Sequence, residues 1–292
     1  MTPQHAPSSE MPVSTYRRAL TVAGSDSGGG AGVQADLKTF SALGCYGMSV
    51  ICAVTAQNTL GVTGIFPVPP EFVARQIDAV FDDIGADAVK IGMLDSPETV
   101  AAVADRLRAH GAARIVLDPV MVAKSGHKLL RDDAVEAVRE RLLPLATVLT
   151  PNLPEAAILL GLGATPDGPV PFARDDMPEA GRSLLAMGPA AVLMKGGHLA
   201  DDARADDCLV YKRPDGTVGE RWFAHDRVAT PNTHGTGCTL SSAIAAHLAR
   251  GFDTQDAVER GIAYLADAIR AGAGQVLGHG HGPVHHFHAL WK

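Results

Sequence analysis

Short apolar runs that end in glycine or a polar residue alternate with longer stretches whose apolar positions return every three or four residues. That alternation predicts strand and helix in turn. Arg18 to Gly24 is the first apolar run, and it passes straight into the glycine cluster GSDSGGGAG. Val33 to Leu43 follows as an amphipathic helix, with Leu37 and Phe40 spaced for one face. Cys45 to Ala56 is β-branched and apolar, a buried strand, while Gly61 to Val68, broken by Gly and Pro, predicts a strand excursion or lid beside the sheet. The pattern then becomes regular. Helices are predicted over Pro70–Ile84, Pro97–His110, Asp132–Leu143, Pro154–Leu160 and Pro178–Met187, with strands over Ala88–Met93, Arg114–Met121, Ala146–Thr150 and Ala191–Met194. Cys208–Tyr211 and Arg221–Val228 predict an antiparallel pair around the turn Pro214-Asp215-Gly216, and helices Thr236–Ala249 and Thr254–Ala271 close the chain.

Repeated strand–helix units imply an α/β fold with a mostly parallel sheet and helices on both faces, a three-layer α/β/α sandwich with a small lid. Ligands of such sheets gather beyond the carboxyl ends of the strands. No break in composition and no fixed repeat divides the chain. It reads as one domain over 18–292, preceded by an aperiodic tail over 1–17 rich in Pro, Ser, Thr and His.

Composition narrows the function. The 292 residues are 46% hydrophobic and 20% charged with a net charge of -7, enough for a large core. Without a basic run, bulk electrostatic binding to long nucleic acid or an anionic membrane is not expected, whereas a small anionic ligand remains compatible. No apolar stretch of signal-peptide or membrane-span length is present. Cys45, Cys52, Cys208 and Cys238 form no C-x-x-C pair, so reduced thiols and a cytoplasmic location are expected.

Three groups carry chemistry. The loop Gly24-Ser25-Asp26-Ser27-Gly28-Gly29-Gly30-Ala31-Gly32 lets backbone approach a ligand closely. It contains Gly30-x-Gly32-x-x-Ala35, a loose dinucleotide fingerprint, but Val50 to Gln57 lacks the acidic residue such a site needs. The second group, Asn232-Thr233-His234-Gly235-Thr236-Gly237-Cys238-Thr239-Leu240-Ser241, opens an apolar helix. Free amides there favour negative charge, and Gly235 and Gly237 let backbone wrap an anion; a plain helix cap is the bland alternative. Cys238 in that first turn reads either as a thiol of lowered pKa, available as thiolate near neutrality, or as an inert small hydrophobe. The third group lies at successive strand ends: Asp118-Pro119, Asn152 with Glu155, and Lys195-Gly196-Gly197. Carboxylates suit Mg²⁺, directly or through water, and a lysine suits phosphate. With an anion-binding helix end they describe phosphoryl transfer.

The stretches TVAGSDSGGGAGVQADLKTFSALG, TAQNT, VKIGML, VLDPVMVAKSG, LTPNLPEA, VLMKGGH, NTHGTGCTLSSAIAAHLA and GHGPVHHFH together resemble the hydroxymethylpyrimidine/phosphomethylpyrimidine kinases of the ribokinase-like superfamily. The resemblance runs from Leu20 to the C-terminus. It implies ATP-dependent phosphorylation of 4-amino-5-hydroxymethyl-2-methylpyrimidine to its monophosphate and then its diphosphate, in thiamin biosynthesis. It places Gly24 and Asp36 at the border of the pyrimidine pocket, Gln57 on the ring edge and Met93 nearby. Asp118, Asn152, Glu155 and Lys195 match the ATP side, with Mg²⁺ held by Asp118 and Glu155 through water. Gly235, Thr236 and Gly237 match the anion hole, and Cys238 stands where sugar-kinase relatives carry an aspartate base. Gly28, where many relatives have serine, is a departure that touches only a hydroxyl contact. A homodimer follows by analogy alone. The rivals are a pyridoxal/pyridoxine kinase, disfavoured by Gln57 and Met93, and a pyrimidine-sensing module without catalysis. The histidines His279, His281, His285, His286 and His288 alternate with Gly and Pro and read as a packed tail rather than a metal site. Trp222 and Phe223 could line an adenine pocket or simply pack.

Overall fold

The computed structural model describes residues 15–121, 132–163, 172–199 and 204–291. Most of the predicted tail and the VAKSG part of one quoted motif lie outside them. In chain order the elements are β1 (Arg18–Gly24), α1 (Gly32–Ala42), β2 (Tyr46–Asn58), β3 (Gly61–Pro67), α2 (Pro70–Asp83), β4 (Ala88–Ile91), α3 (Pro97–Ala109), β5 (Ile115–Leu117) and α4 (Asp132–Ala137). They continue with β6 (Val148–Leu149), α5 (Leu153–Leu159), α6 (Met177–Ala186), β7 (Ala191–Met194), β8 (Asp207–Lys212), β9 (Val218–Phe223), α7 (Thr236–Ala249) and α8 (Thr254–Gly272).

The described strands form one sheet in the order β3-β2-β1-β4-β5-β6-β7-β8-β9. Strands β2, β1, β4, β5, β6 and β7 are parallel, whereas β3 and the β8–β9 pair run antiparallel to their neighbours at the two edges. Successive strand residues alternate between two cores. Leu20, Val22, Val89, Ile91, Ile115, Leu117, Val192 and Met194 face α2 to α6. Ala19, Ala88, Val116, Ala191 and Leu193 face α1, α7 and α8. A strand buried on both faces reads as a continuous apolar run, which is why these segments look featureless in sequence.

Local chemistry sets the helix starts. Ser96 accepts from the Thr99 N–H ahead of Pro97 in α3, and Asn152 and Glu155 form a reciprocal capping box on α5. One open alternative is decided and two expectations shift. Of the two readings of Gly61 to Val68, strand excursion or lid, the structure takes the first: it is the edge strand β3, hydrogen-bonded along β2. The predicted helix Asp132–Leu143 leaves α geometry after Ala137 for a π turn and then a 3₁₀ turn at Leu143–Leu145, where Pro144 sits; a proline lacks the N–H that a continuing helix needs. Strand β9 starts and ends earlier than Arg221–Val228, because its pairing with β8 runs from Val218 opposite Lys212 to Phe223 opposite Asp207, where β8 begins.

Since β1 leads to β2 on one side and β4 lies on the other, the sheet's topological switch point falls between the carboxyl ends of β1 and β4. Ligands of open α/β sheets bind at such a crevice.

Candidate active site

The parallel strands deliver the sequence candidates to one end of the sheet. Gly24 ends β1 and Met93 follows β4, and a Cβ on Gly24 would stand 3.0 Å from the Met93 sulfur. The two flank the switch point. Gln57, near the end of β2, lies beside the glycine loop, where Ser27 Oγ donates to the Thr55 carbonyl at 2.9 Å.

Across the crevice, Asp118, Asn152 and Lys195 follow β5, β6 and β7. Lys195 Nζ is 3.1 Å from Asp118 Oδ1 and 3.8 Å from Glu155 Oε2. Ser241 of α7 donates to Asp118 Oδ2 at 3.2 Å, and Thr150 reaches Asp118 Oδ1 at 3.3 Å. Burial alone would raise the Asp118 carboxyl, but Lys195 and Lys90 outweigh it and hold it below the usual range. Glu155 goes the other way: burial, with the Asp118 charge adding, pushes it up to about 7 despite Lys195. Lys195 resists the deprotonating effect of burial because both carboxylates face it.

Helix α7 ties these two sides together. Its N-cap, Gly235, has φ +79°, and a side chain there would run into the Gly30 carbonyl oxygen of the first loop. Two residues on, a Cβ at Gly237 would lie 3.5 Å from Asp118 Oδ2 and 3.6 Å from Lys195 Nζ. The first turn, Thr236 to Cys238, has N–H groups without an intrahelical acceptor. One helix terminus therefore abuts the glycine loop on one flank and the carboxylate–lysine group on the other.

One expectation changes, and one open alternative is decided. Asp36 does not face the pocket. It is fully buried, and its carboxylate accepts from Thr21 and Ser242, each at 2.6 Å, and from Lys90 at 2.9 Å. Thr21 and Lys90 follow the same alternation as Ala19 and Ala88, so their side chains point between the sheet and α1 and α7. The aspartate thus pins α7 to the sheet one turn below Cys238. The Cys238 thiol is not lowered. Burial pushes it up to about 11; Lys90 pulls it down, Asp36 and Asp118 push it further up, and the Gly32 amide opposes them. The helix terminus loses to desolvation, so the resting group is the neutral thiol.

Lys90, whose ammonium lies close over Gly92 (a Cβ there would stand 2.6 Å from Nζ), was missed in sequence. A lone charge inside the apolar run AVKI was the available signal. Replacing it strands a buried carboxylate, which costs about 3–5 kcal/mol. Lys90→Met is expected to lower the melting temperature by about 10 °C, with part of the loss recovered in Lys90→Met/Asp36→Asn. An unchanged melting temperature would show that the pair does not hold the fold.

Also missed were Asp26 and His234, each inside a motif read for its glycines. His234 Nε2 lies 2.8 Å from Asp26 Oδ2 and 3.5 Å from Gln57 Nε2, so the residue before the helix cap touches both the glycine loop and the ring-edge candidate. On β9, Trp222 lies under the Arg174 guanidinium at 4.0 Å and Phe223 is buried in the core. In the C-terminal segment, buried His286 meets Thr239 Oγ1 at 3.1 Å, and His285 packs edge-on against Trp291. No group of three metal-competent side chains converges among the described residues. Nor is any helix among them long and apolar enough to cross a membrane.

Comparison with known proteins bears on the family and the fold. The chain is 52% identical to the hydroxymethylpyrimidine/phosphomethylpyrimidine kinase of Escherichia coli over 94% of its own length and 98% of the relative's. It superposes on the crystal structure of a phosphomethylpyrimidine kinase from Clostridium difficile with a TM-score of 0.73 at 44% identity, covering 86% of this chain and 99% of the other. An ADP complex of Bacillus subtilis pyridoxal kinase gives a TM-score of 0.83 at 34% identity, covering 95% and 100%. With a family model described as phosphomethylpyrimidine kinase matching residues 26–285 as well, the chain belongs to the phosphomethylpyrimidine kinase family.

Proposed function

We propose that this protein transfers the γ-phosphoryl group of ATP to the hydroxymethyl oxygen of 4-amino-5-hydroxymethyl-2-methylpyrimidine and then phosphorylates the monophosphate again, in thiamin biosynthesis. The observation that carries the reading is the shared terminus of α7. Gly235 packs on the loop beside Gln57, and Gly237 packs on Asp118 and Lys195, so ring and nucleotide can meet over one set of free amides.

In this reading Gly24, Met93 and Gln57 border the ring, and Asp36 supports that wall from beneath. Asp118, Asn152, Glu155 and Lys195 take the nucleotide side. Two buried carboxylates around one ammonium form an oxygen donor set suited to Mg²⁺, an ion that keeps waters and shares phosphates with few protein ligands; Asp118 and Glu155 would hold it, and it would neutralise phosphate charge. Lys195 does the same from the protein. The substrate oxygen forms its bond to the γ-phosphorus as the bond to the ADP oxygen breaks, and the hydroxyl proton passes to the Cys238 thiolate, the minor form that remains once the thiol has given its own proton to solvent. Amides of Gly235 to Cys238 stabilise the equatorial oxygens of the group in flight. A homodimer and a cytoplasmic location belong to the same proposal, the first by analogy with relatives.

Incubation with Mg-ATP and, separately, hydroxymethylpyrimidine, its monophosphate, pyridoxal and ribose, with products resolved by mass, tests it. Phosphorylation of the first two is expected. Turnover of pyridoxal or ribose alone would overturn the assignment, and tight ring binding without turnover would mark a sensing module.

A further inference from the structure

We infer that His234, held by Asp26, acts with Thr55 to fix which way round the Gln57 amide faces, and so decides which hydrogen-bonding edge of a ring this pocket accepts. The inference rests on the proposed function, in which Gln57 meets the ring.

The argument is one of donor and acceptor polarity. Asp26 is 1% exposed. Its Oδ1 accepts from the Gly28 amide at 2.9 Å, and its Oδ2 accepts from the amides of Gly30 at 3.0 Å and Ala31 at 2.8 Å. Burial pushes this carboxyl up, but His234 and those amides outweigh it and keep it below the usual range. An ionised carboxylate only accepts. The hydrogen between Asp26 Oδ2 and His234 Nε2 must then sit on the histidine, whether the ring is neutral or charged.

Gln57 Nε2 lies 3.5 Å from that same N–H, donor facing donor. On its other side, the single hydroxyl hydrogen of Thr55 goes to the Ser25 carbonyl at 2.8 Å, while the oxygen lies 3.4 Å from Gln57 Oε1, acceptor facing acceptor. The two ends of a glutamine amide have nearly the same shape, and the surrounding network decides which is which. Turned over, the amide resolves both mismatches: Oε1 becomes the longer, second acceptor of the His234 N–H that Asp26 already holds, and Nε2 donates to Thr55.

That orientation also defines what remains. A primary amide has two lone pairs and two N–H bonds. His234 takes one lone pair and Thr55 takes one N–H, which leaves one acceptor and one donor for a ligand. An aminopyrimidine edge, with its amine N–H beside an unprotonated ring nitrogen, matches the pair. The 4-oxo ring presents the reverse pattern and would need the amide in the orientation that His234 opposes. His234 and Thr55 are therefore positioning residues. Because His234 immediately precedes the Gly235 cap, the residue that sets ring polarity is built into the loop that forms the anion hole.

The test is the ratio of kcat/KM for 4-amino-5-hydroxymethyl-2-methylpyrimidine over its 4-oxo analogue. The native enzyme should favour the amino ring strongly. In His234→Ala the ratio should fall by at least about 10-fold, in Thr55→Val by less, and Thr55→Ser should restore the native ratio. General damage to the loop lowers both rates together and leaves the ratio in place. Should a variant lose turnover, the same ratio is read from calorimetric binding of the two rings. A native enzyme that discriminates, with an unchanged ratio in His234→Ala, would overturn this inference while leaving the proposed function standing. A native enzyme that phosphorylates neither ring would remove both.

Discussion

Gly235→Ala is expected to lower kcat/KM for the pyrimidine by about 10³-fold or more while the protein remains folded. Two causes act at one atom. The residue holds φ +79°, which costs a non-glycine residue about 1–2 kcal/mol, and its new methyl group would meet the Gly30 carbonyl. Both parties to that contact are backbone, so no side chain can swing aside. The loop before α7 must draw away from the glycine loop, which displaces the amides of Thr236 to Cys238 from the phosphoryl group and His234 from Asp26. Losing one preorganised donor costs about 10²–10³ in related holes, and here several move together. Because α7 is anchored deeper down, through Ser242 on Asp36, circular dichroism and gel filtration should be close to native. Gly274→Ala is the control, since a Cβ there meets nothing within 4 Å and the residue lies outside the site. Equal activity of Gly235→Ala and the native enzyme would show that phosphoryl transfer does not depend on this terminus.

The sheet was legible because each strand is a short apolar run closed by glycine or a polar residue, and the strand-end residues followed from it: Asp118, Asn152 and Lys195 needed only parallel strands to end up together. What sequence could not supply was direction. Asp36 sits on an amphipathic helix in a motif that resembles a pocket wall, yet its carboxylate points inward because Lys90, 54 positions away in the chain, needs a counter-ion. Lys90 itself looks like an interruption in a strand until α1 and α7 are laid over it. Cys238 stayed open between two readings for a similar reason. The helix terminus is visible in HGTGC, but the burial that outweighs it comes from the tertiary packing of the first loop, the sheet and two carboxylates. His234 and Asp26 were hidden by the glycines around them, which signal backbone approach so strongly that the polar residues between them read as filler.

The raised Cys238 thiol yields the second large effect. If Cys238 thiolate takes the hydroxymethyl proton, only about 10⁻³ of the enzyme carries it at pH 8, given a thiol near 11. The sign follows directly: the active form lies above the pKa, so kcat/KM for the first phosphorylation should climb about tenfold per pH unit between 7 and 9. The second phosphorylation attacks with a phosphate oxygen that is already anionic and should be nearly flat over the same range. Cys238→Ala should cut the first step by about 10²–10⁴-fold and abolish its slope, while leaving the second within about tenfold. Lys90 enters as well, because its charge draws the thiol down against burial and two carboxylates. Lys90→Met, provided it is assayed below its lowered melting temperature, should shift the first-step profile to still higher pH without altering the second. Parallel pH profiles for the two steps, or equal losses of kcat in Cys238→Ala, would take Cys238 out of the proton transfer and leave the amides, Lys195 and the bound nucleotide to carry the reaction alone.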